Sequence, residues 1–477
     1  MKEGLWKALV VAALLCLATS LLSAQTFTTL ASFGYFIGSN QGVMTLVQGV
    51  DGNLYGTTEA GGANGFGTVF QITPTGTLTS LYSFCSQPNC TDGGAPEAGL
   101  VLDNDGDFYG VTWDGGAAGL YLGFGTVYKI TAGGTLTTLN SFAGTNGANP
   151  WGALVRATDG DFYGTTAYGG ACKAPYGCGT VFKITPGGTL TMLHSFHKTD
   201  GFYPQAGLVQ STDGNFYGTT SGGGANRNAG TVFKISPTGK LTTLHNFCAK
   251  PHCTDGAYPE AALVQGTDGD FYGTTAGGGN GIIYGVGTVF KITAGGTLTT
   301  LHRFNTTDGS RPEGGLIQAT DGNFYGTTNS GGDNGAGTIF QITPTGALTT
   351  LHNFCAQPNC TDGADPQAGL VQGTDGNFYG TTPIGVCCGT VFSLSVGLEP
   401  FVETNPTSGK VGARVIILGN NLTSATSVTF DGTTAPLLKV TASAIETTVP
   451  IGATTGTVIV TTPNGTLNSN VAFRVLP

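Results

Sequence analysis

Gly207-Leu-Val-Gln-Ser-Thr-Asp-Gly-Asn-Phe-Tyr-Gly-Thr-Thr220, with Thr231-Val-Phe-Lys-Ile235 and Lys240-Leu-Thr-Thr-Leu-His-Asn-Phe247 after it, is the stretch that decides the fold. It reads as four short strands, 207–212, 215–220, 231–235 and 240–247, because each run is rich in β-branched and aromatic residues and is bounded by turn residues. Asp213-Gly214 marks a hairpin, glycine supplying the positive φ that such turns need, and Pro237-Thr-Gly239 marks the next turn.

The unit recurs along the chain. Asp-Gly, then Asn or Asp, then Phe or Leu, then Tyr-Gly begins at Asp51, Asp105, Asp159, Asp213, Asp268, Asp321 and Asp375, at spacings of 54, 54, 54, 55, 53 and 54 residues. Four antiparallel strands per copy, in seven copies, predict an all-β chain built as a seven-bladed β-propeller. The termini offer a separate test. Thr26-Phe-Thr-Thr-Leu-Ala-Ser-Phe33 matches an outermost strand such as Thr297-Leu-Thr-Thr-Leu-His-Arg-Phe304, whereas the seventh copy stops after its third strand, Thr390-Val-Phe-Ser-Leu394. The orphan first strand therefore completes the last blade and closes the ring, leaving no open edge.

Composition narrows the function. Glycine makes up 81 of 477 residues without a triplet period, and charged residues are 10 %. Collagen, long helices and intrinsic disorder are thereby excluded. A net charge of -10 removes the electrostatic basis for nucleic-acid binding. Lys2 and Lys7, the apolar stretch Ala8 to Leu22, and Ser23-Ala24 before Gln25 read as a secretory signal, 1–24. No membrane insertion is expected once it is removed. A secreted or cell-envelope protein, periplasm included, is expected, as a monomer.

Ten of the eleven cysteines remain beyond that segment, as near-neighbour pairs: Cys85/Cys90, Cys172/Cys178, Cys248/Cys253, Cys355/Cys360 and Cys387/Cys388. Local disulfides are expected in an oxidising compartment. The competing reading is metal binding, because His252 lies inside the Cys248–Cys253 pair, although structural zinc sites use two halves of closer spacing. The vicinal pair Cys387 and Cys388 reads equally as a bridge or as two thiols.

The recurring Asp-Gly-Asn-Phe-Tyr-Gly-Thr-Thr, Gly-Gly and Gly-Thr-Val-Phe-Lys-Ile-Thr pattern over about 26–396 resembles the Gloeo/Verruco (GloVer) repeat family of exported bacterial proteins. That resemblance implies export and no defined activity. A looser likeness to kelch propellers rests on Gly61-Gly62 and Gly331-Gly332. From Asn405-Pro-Thr-Ser-Gly409, Val415-Ile-Ile-Leu-Gly419, Ser427-Val-Thr-Phe-Asp-Gly432 and Gly456-Thr-Val-Ile-Val460, the C-terminal part resembles an IPT/TIG immunoglobulin-like domain. It lacks the basic surface of the DNA-binding members, which implies a spacer or binding unit. The expected layout is a signal at 1–24, a propeller at 25–397 and the IPT/TIG domain at 398–477.

Antiparallel order places the near-invariant Asp-Gly turns on one face, and the variable second-to-third loops and blade-to-blade crossings on the other. Loops on a rigid scaffold carry function, so the variable face is the expected site. Its candidates break the repeat: Trp113; Trp151, where other copies have Glu97, Gln205, Glu260, Glu313 or Gln367; and Arg156, which with Leu102 interrupts a ring of Gln48, Gln210, Gln265, Gln318 and Gln372. Tryptophan beside carboxylates and amides suits a glycan or protein ligand. The competing reading is that the tryptophans fill gaps between blades and the glutamines pad the channel. Calcium at the Asp-Gly turns is disfavoured, since a hairpin cannot supply six oxygens. Asp92, Asp200, Asp255, Asp308 and Asp362 form a partial ring in the crossings, which turn chemistry also explains. The propeller-plus-immunoglobulin layout is similar to galactose oxidase, but His194, His245, His302 and His352 share one outermost-strand position and His197 and His252 stand alone, so no copper site, other metal or cofactor is expected. No catalytic residue is assigned. Three readings remain: a non-catalytic binding protein, a structural spacer of the envelope, and a carbohydrate-active enzyme using a pair such as Glu97 and Glu260.

Overall fold

The computed structural model describes residues 25–34, 39–43, 45–119, 123–172, 177–280, 282–385 and 388–477. The expected signal segment and Cys387 lie outside the described residues. Among them the chain forms a ring of seven antiparallel sheets followed by a small β-sandwich. In the fourth blade the strands are Val209–Gln210, Phe216–Thr220, Thr231–Ile235 and Leu241–Asn246, counted from the axis outward. The innermost strand is only two residues long because the ladder ends where strands crowd the axis. The first blade has an additional strand, Ser39–Val43.

The N-terminal strand, Thr26–Ser32, pairs antiparallel with Thr390–Ser395 of the seventh blade, from Thr26 opposite Ser395 to Ser32 opposite Thr390. Phe27 stacks on His352 at 3.8 Å, and Phe33 is buried against Phe70. The ring is closed by its own first residues.

Each recurring position of the repeat has a packing role. The second-strand tyrosine stacks on the second-strand phenylalanine of the next blade, with centroids 3.9 to 4.3 Å apart from Tyr55–Phe108 round to Tyr325–Phe378. At the closure Leu54 takes the place of phenylalanine and packs in one cluster with Tyr379. Gly218 leaves room for the third-strand ring, since a Cβ there would lie 2.7 Å from Phe233 Cζ. The tyrosine hydroxyl reaches back to the turn: Tyr217 donates to Asp213 at 3.0 Å and Lys234 to the same carboxylate at 2.7 Å, while the Asn215 amide donates to Asp213 Oδ1. These bonds hold the Asp213 carboxyl below its usual range. The turn is one residue longer than a two-residue hairpin, running Thr212-Asp213-Gly214 with Gly214 at φ 81°. The aspartates are thus consumed by turn, tyrosine and lysine, as turn chemistry requires.

The glutamine ring zips neighbouring blades rather than padding the channel. Gln210 accepts from the Thr158 amide at 2.9 Å and donates to its hydroxyl at 3.3 Å, and Gln48 makes the same pair with Thr374 across the closure. One step back along each innermost strand, Val47, Val101, Val155, Val209, Val264, Ile317 and Val371 are half-buried and ring the axis.

The sandwich packs on the Asp-Gly face. Ile416, Leu418 and Ala444 share a core cluster with Tyr55, Leu100, Leu102 and Phe108 of the first two blades. Asn405 Nδ2 donates to the Leu102 carbonyl at 3.1 Å, Ser443 Oγ to the Val50 carbonyl at 2.8 Å, and Asn420 Nδ2 to the Thr374 hydroxyl at 2.9 Å. The sandwich core is separate, built on Val415, Ile417, Val428, Phe430, Ile445, Val460 and Phe473.

Candidate functional site

The opposite end of the axis is built from the crossings. Each crossing carries a residue in the left-handed region immediately before a proline: Ala95, Asn149, Tyr203, Tyr258, Arg311 and Asp365, with φ between 51° and 64°. Except at Asp365, where Pro383 has no amide hydrogen to give, its carbonyl accepts the amide of the residue just past the neighbouring second strand, as Ala95 does from Trp113 and Tyr203 from Ser221. The proline covers the glycine that opens the preceding third strand: a Cβ on Gly230, itself at φ 94°, would lie 2.7 Å from Pro259 Cδ. Proline and glycine thus fix the backbone, and the following residue is presented at the mouth of the channel. That residue is Glu97, Trp151, Gln205, Glu260, Glu313 or Gln367, half-buried except for the exposed Gln367.

An aromatic cluster forms one side of the mouth. Trp113 meets Trp151 edge-on at 4.9 Å and Tyr168 at 5.7 Å, Trp151 meets Tyr203 at 6.3 Å, and Tyr168 and Tyr203 are 4.9 Å apart with their hydroxyls bonded at 2.9 Å. Trp113 occupies the place past the second strand that Glu59, Ala167 and Ser221 hold elsewhere.

Carboxyls adjoin the cluster. Burial pushes Glu97 up to about 8, helped by the charges of Glu59 and Asp114. Glu59 rises to about 7 through burial and Asp114, and burial raises Asp114 as well. Glu260 rises to about 7 through burial and Glu313, partly offset by Arg311, which pairs with Glu313 at 2.8 Å. Tyr203 is raised chiefly by burial, then by its hydrogen bond to Tyr168, and also by the charges of Glu97 and Glu260. Carboxyls poised near neutrality both donate and accept hydrogen bonds, and aromatic edges and faces offer apolar contact. Among the described residues no group of three or more His, Cys, Asp or Glu is placed to hold a metal ion.

Arg156 does not join the site. It donates to Asp103 and, at 3.4 Å, to Asn104 in the Asp-Gly turn of the preceding blade, at the far end of the axis. Leu102 is buried against the sandwich. Together Leu102, Asp103, Asn104 and Arg156 replace the Gln–Thr zipper where the second blade receives Ile416 and Leu418. Their departure from the repeat is an adaptation to the docked domain.

The crossing aspartates cap their own loops. Asp255 accepts from the amides of Ala249 and Lys250 and pairs with His245, and Asp200, Asp308 and Asp362 pair with His194, His302 and His352 at 3.0 to 3.2 Å. In the first crossing Tyr82 replaces histidine and donates to Asp92 at 2.7 Å. Disulfides join Cys85–Cys90, Cys172–Cys178, Cys248–Cys253 and Cys355–Cys360. The cysteines flanking His252 are therefore bonded to each other, which removes the metal reading there. Four disulfides fit an extracellular or periplasmic compartment.

Cys388 is the described member of the vicinal pair. It was expected as a bridge to Cys387 or as a thiol, and it belongs to none of the four disulfides among the described residues. The Cys388 side chain is half-buried and packs against the closure cluster of Phe33, Leu46, Phe70 and Val391. The pairing with Cys387 itself falls outside the described residues.

Tyr168, Tyr203, Glu59 and Asp114 were not singled out from sequence. The residue before each crossing proline was the available signal, because it varies as much as the residue after it.

The family model of the Gloeobacter/Verrucomicrobia repeat matches residues 19–119, 86–280 and 252–434. The chain belongs to the Gloeobacter/Verrucomicrobia repeat family. An IPT/TIG domain model matches residues 401–475 of this repeat protein. No curated protein matches it. Among solved structures, the extracellular domain of a hybrid two-component system from B. thetaiotaomicron is 12 % identical with a TM-score of 0.49, over 94 % of this chain and 54 % of that one. The repeat protein thus spans about half of that structure's length. A periplasmic gluconolactonase of Pseudomonas aeruginosa is 17 % identical with a TM-score of 0.44, over 65 % of this chain and 84 % of that one. Neither likeness bears on what the repeat protein binds or turns over.

Proposed function

We propose that this is an exported binding protein that engages a glycan, or a protein partner of similar polarity, at the open mouth of the propeller. One observation carries the reading: Trp113, Trp151, Tyr168 and Tyr203 adjoin one another beside Glu97 and Glu260, in a ring whose other copies hold plain polar residues. Sugar rings offer apolar faces to aromatic side chains and hydroxyls to carboxyls and amides. A glycan array probed with the protein lacking residues 1–24 tests it. Binding that Trp151→Ala abolishes supports the site, and unchanged binding by that variant refutes it.

A second reading is hydrolysis of the bound saccharide, favoured by the raised Glu97 and Glu260 carboxyls, since perturbed acids gather at functional sites. Turnover of a polysaccharide that Glu97→Gln or Glu260→Gln abolishes would establish it, and bound but unconverted ligand would exclude it.

A further inference from the structure

At the other end of the axis a chamber of about 1050 Å³ lies between the propeller and the sandwich. Its inner wall is the ring of seven β-branched side chains running from Val47 to Val371, and its outer wall is contributed by the sandwich strand Glu403–Asn405 and the segment Asn470–Ala472. Glu403 lines the chamber and is half-buried. Protein surrounds the carboxyl densely enough that burial alone pushes it up to about 7, and no donor or cation among the described residues reaches it. Other charged groups on the chamber wall are engaged elsewhere. Arg156 is held by Asp103, Asp268 is paired with Lys291, and Arg474 donates to the Thr212 carbonyl across the domain boundary.

A half-buried carboxyl that lines a cavity without a protein partner leaves its charge to be balanced from within that space. The wall formed by the innermost strands is aliphatic, so whatever occupies the chamber beside Glu403 also meets apolar surface. We propose that this chamber binds a small organic cation, with an ammonium group against Glu403 and an aliphatic body against the ring of valines. The site is independent of the open mouth.

The probe is cyclohexylammonium, titrated calorimetrically into the full chain lacking residues 1–24 at pH 8, with cyclohexanol and cyclohexanecarboxylate as matched neutral and anionic probes. Cyclohexylammonium is expected to bind and the other two are not. Affinity is expected to fall as the pH drops below 7 and Glu403 takes up a proton. Glu403→Gln is expected to weaken binding by about tenfold or more, as loss of a charge-assisted hydrogen bond implies. Val209→Phe, which fills the chamber from the opposite wall, is expected to do the same with Glu403 intact. Equal binding of the three probes, no binding of any, or a Glu403→Gln affinity equal to the parent's overturns the proposal. A Glu403→Gln chain that does not fold leaves Val209→Phe to decide, and unchanged affinity in that variant overturns it too.

Discussion

Glu97→Gln is the substitution through which the electrostatics of the mouth are best measured. The Glu97 carboxyl lies half-buried beyond Pro96, raised by the charges of Glu59 and Asp114 and, among the described residues, lowered by no cation. Its folded value of about 8, against an ordinary 4.5, means that the fold favours the protonated form. A group raised in this direction binds more protons folded than unfolded between those two values. Stability from it is therefore full below pH 4.5 and falls as the pH climbs to 8. The displacement corresponds to about 5 kcal/mol for a wholly dehydrated group, and residual solvent at the mouth reduces that to about 2–3 kcal/mol. Urea unfolding followed by far-ultraviolet circular dichroism at pH 5, 7 and 9 measures it. Glu97→Gln should match the parent at pH 5 within about 0.5 kcal/mol and exceed it by about 2–3 kcal/mol at pH 9. A difference that is the same at all three pH values, or a parent more stable than the variant at pH 9, would refute the argument. The sign matters for function, because it decides whether the mouth offers a ligand hydrogen-bond donors or bare negative charge at neutral pH.

Three further predictions concern the scaffold. Tyr128 stands where other blades have phenylalanine, and its buried hydroxyl has no hydrogen-bond partner among the described residues; Tyr128→Phe should stabilise the protein by about 1–3 kcal/mol in the same unfolding assay. Arg156→Gln should cost about 3–5 kcal/mol by leaving Asp103 buried without its cation, and adding Asp103→Gly, the residue of the first blade, should recover most of the loss. Phe33→Ala should cost about 3–5 kcal/mol, as much as Phe247→Ala at the matching position inside the ring; a near-zero cost would mean an open array with a frayed end.

The blades could be read from sequence because each is held by contacts within one 54-residue period and with its neighbours. Asp213, Tyr217 and Gly218 recur in every copy because the tyrosine bonds the turn aspartate and the glycine leaves room for the Phe233 ring, and the runs Phe216–Thr220 and Thr231–Ile235 emerge where the strand pattern put them. Ring closure was legible for the same reason, because the Thr26–Phe33 stretch is an outermost strand by pattern. The docking of the sandwich was missed, although Val415-Ile-Ile-Leu418 carried a sign of it. An exposed sandwich strand should alternate, yet all four residues are apolar and all four are buried, Val415 and Ile417 inward and Ile416 and Leu418 against the propeller. The repeated histidines were placed correctly in the outermost strands, but their pairing with the crossing aspartates was not foreseen. That pairing spans six to ten residues of irregular loop, over which strand periodicity gives no register.

A near-exact repeat also allows each departure from it to be asked for a reason. At the Asp-Gly end the reasons are found in packing. Leu102 covers Ile416 and Leu418, Arg156 with Asp103 and Asn104 replaces the zipper between the second and third blades, and Leu54 meets Tyr379 at the closure. At the open end packing gives no such account. Trp113 and Trp151 pack on each other and on tyrosines rather than on a second domain, and Glu97 carries a carboxyl into a half-buried site where the matching Gln205 would avoid the charge. Departures that lower stability without filling a gap in the fold are expected where a surface is shaped for something outside it. The same test separates the two groups of candidates that sequence alone had placed together, assigning Arg156 to the domain junction and leaving the tryptophans and acids to the mouth.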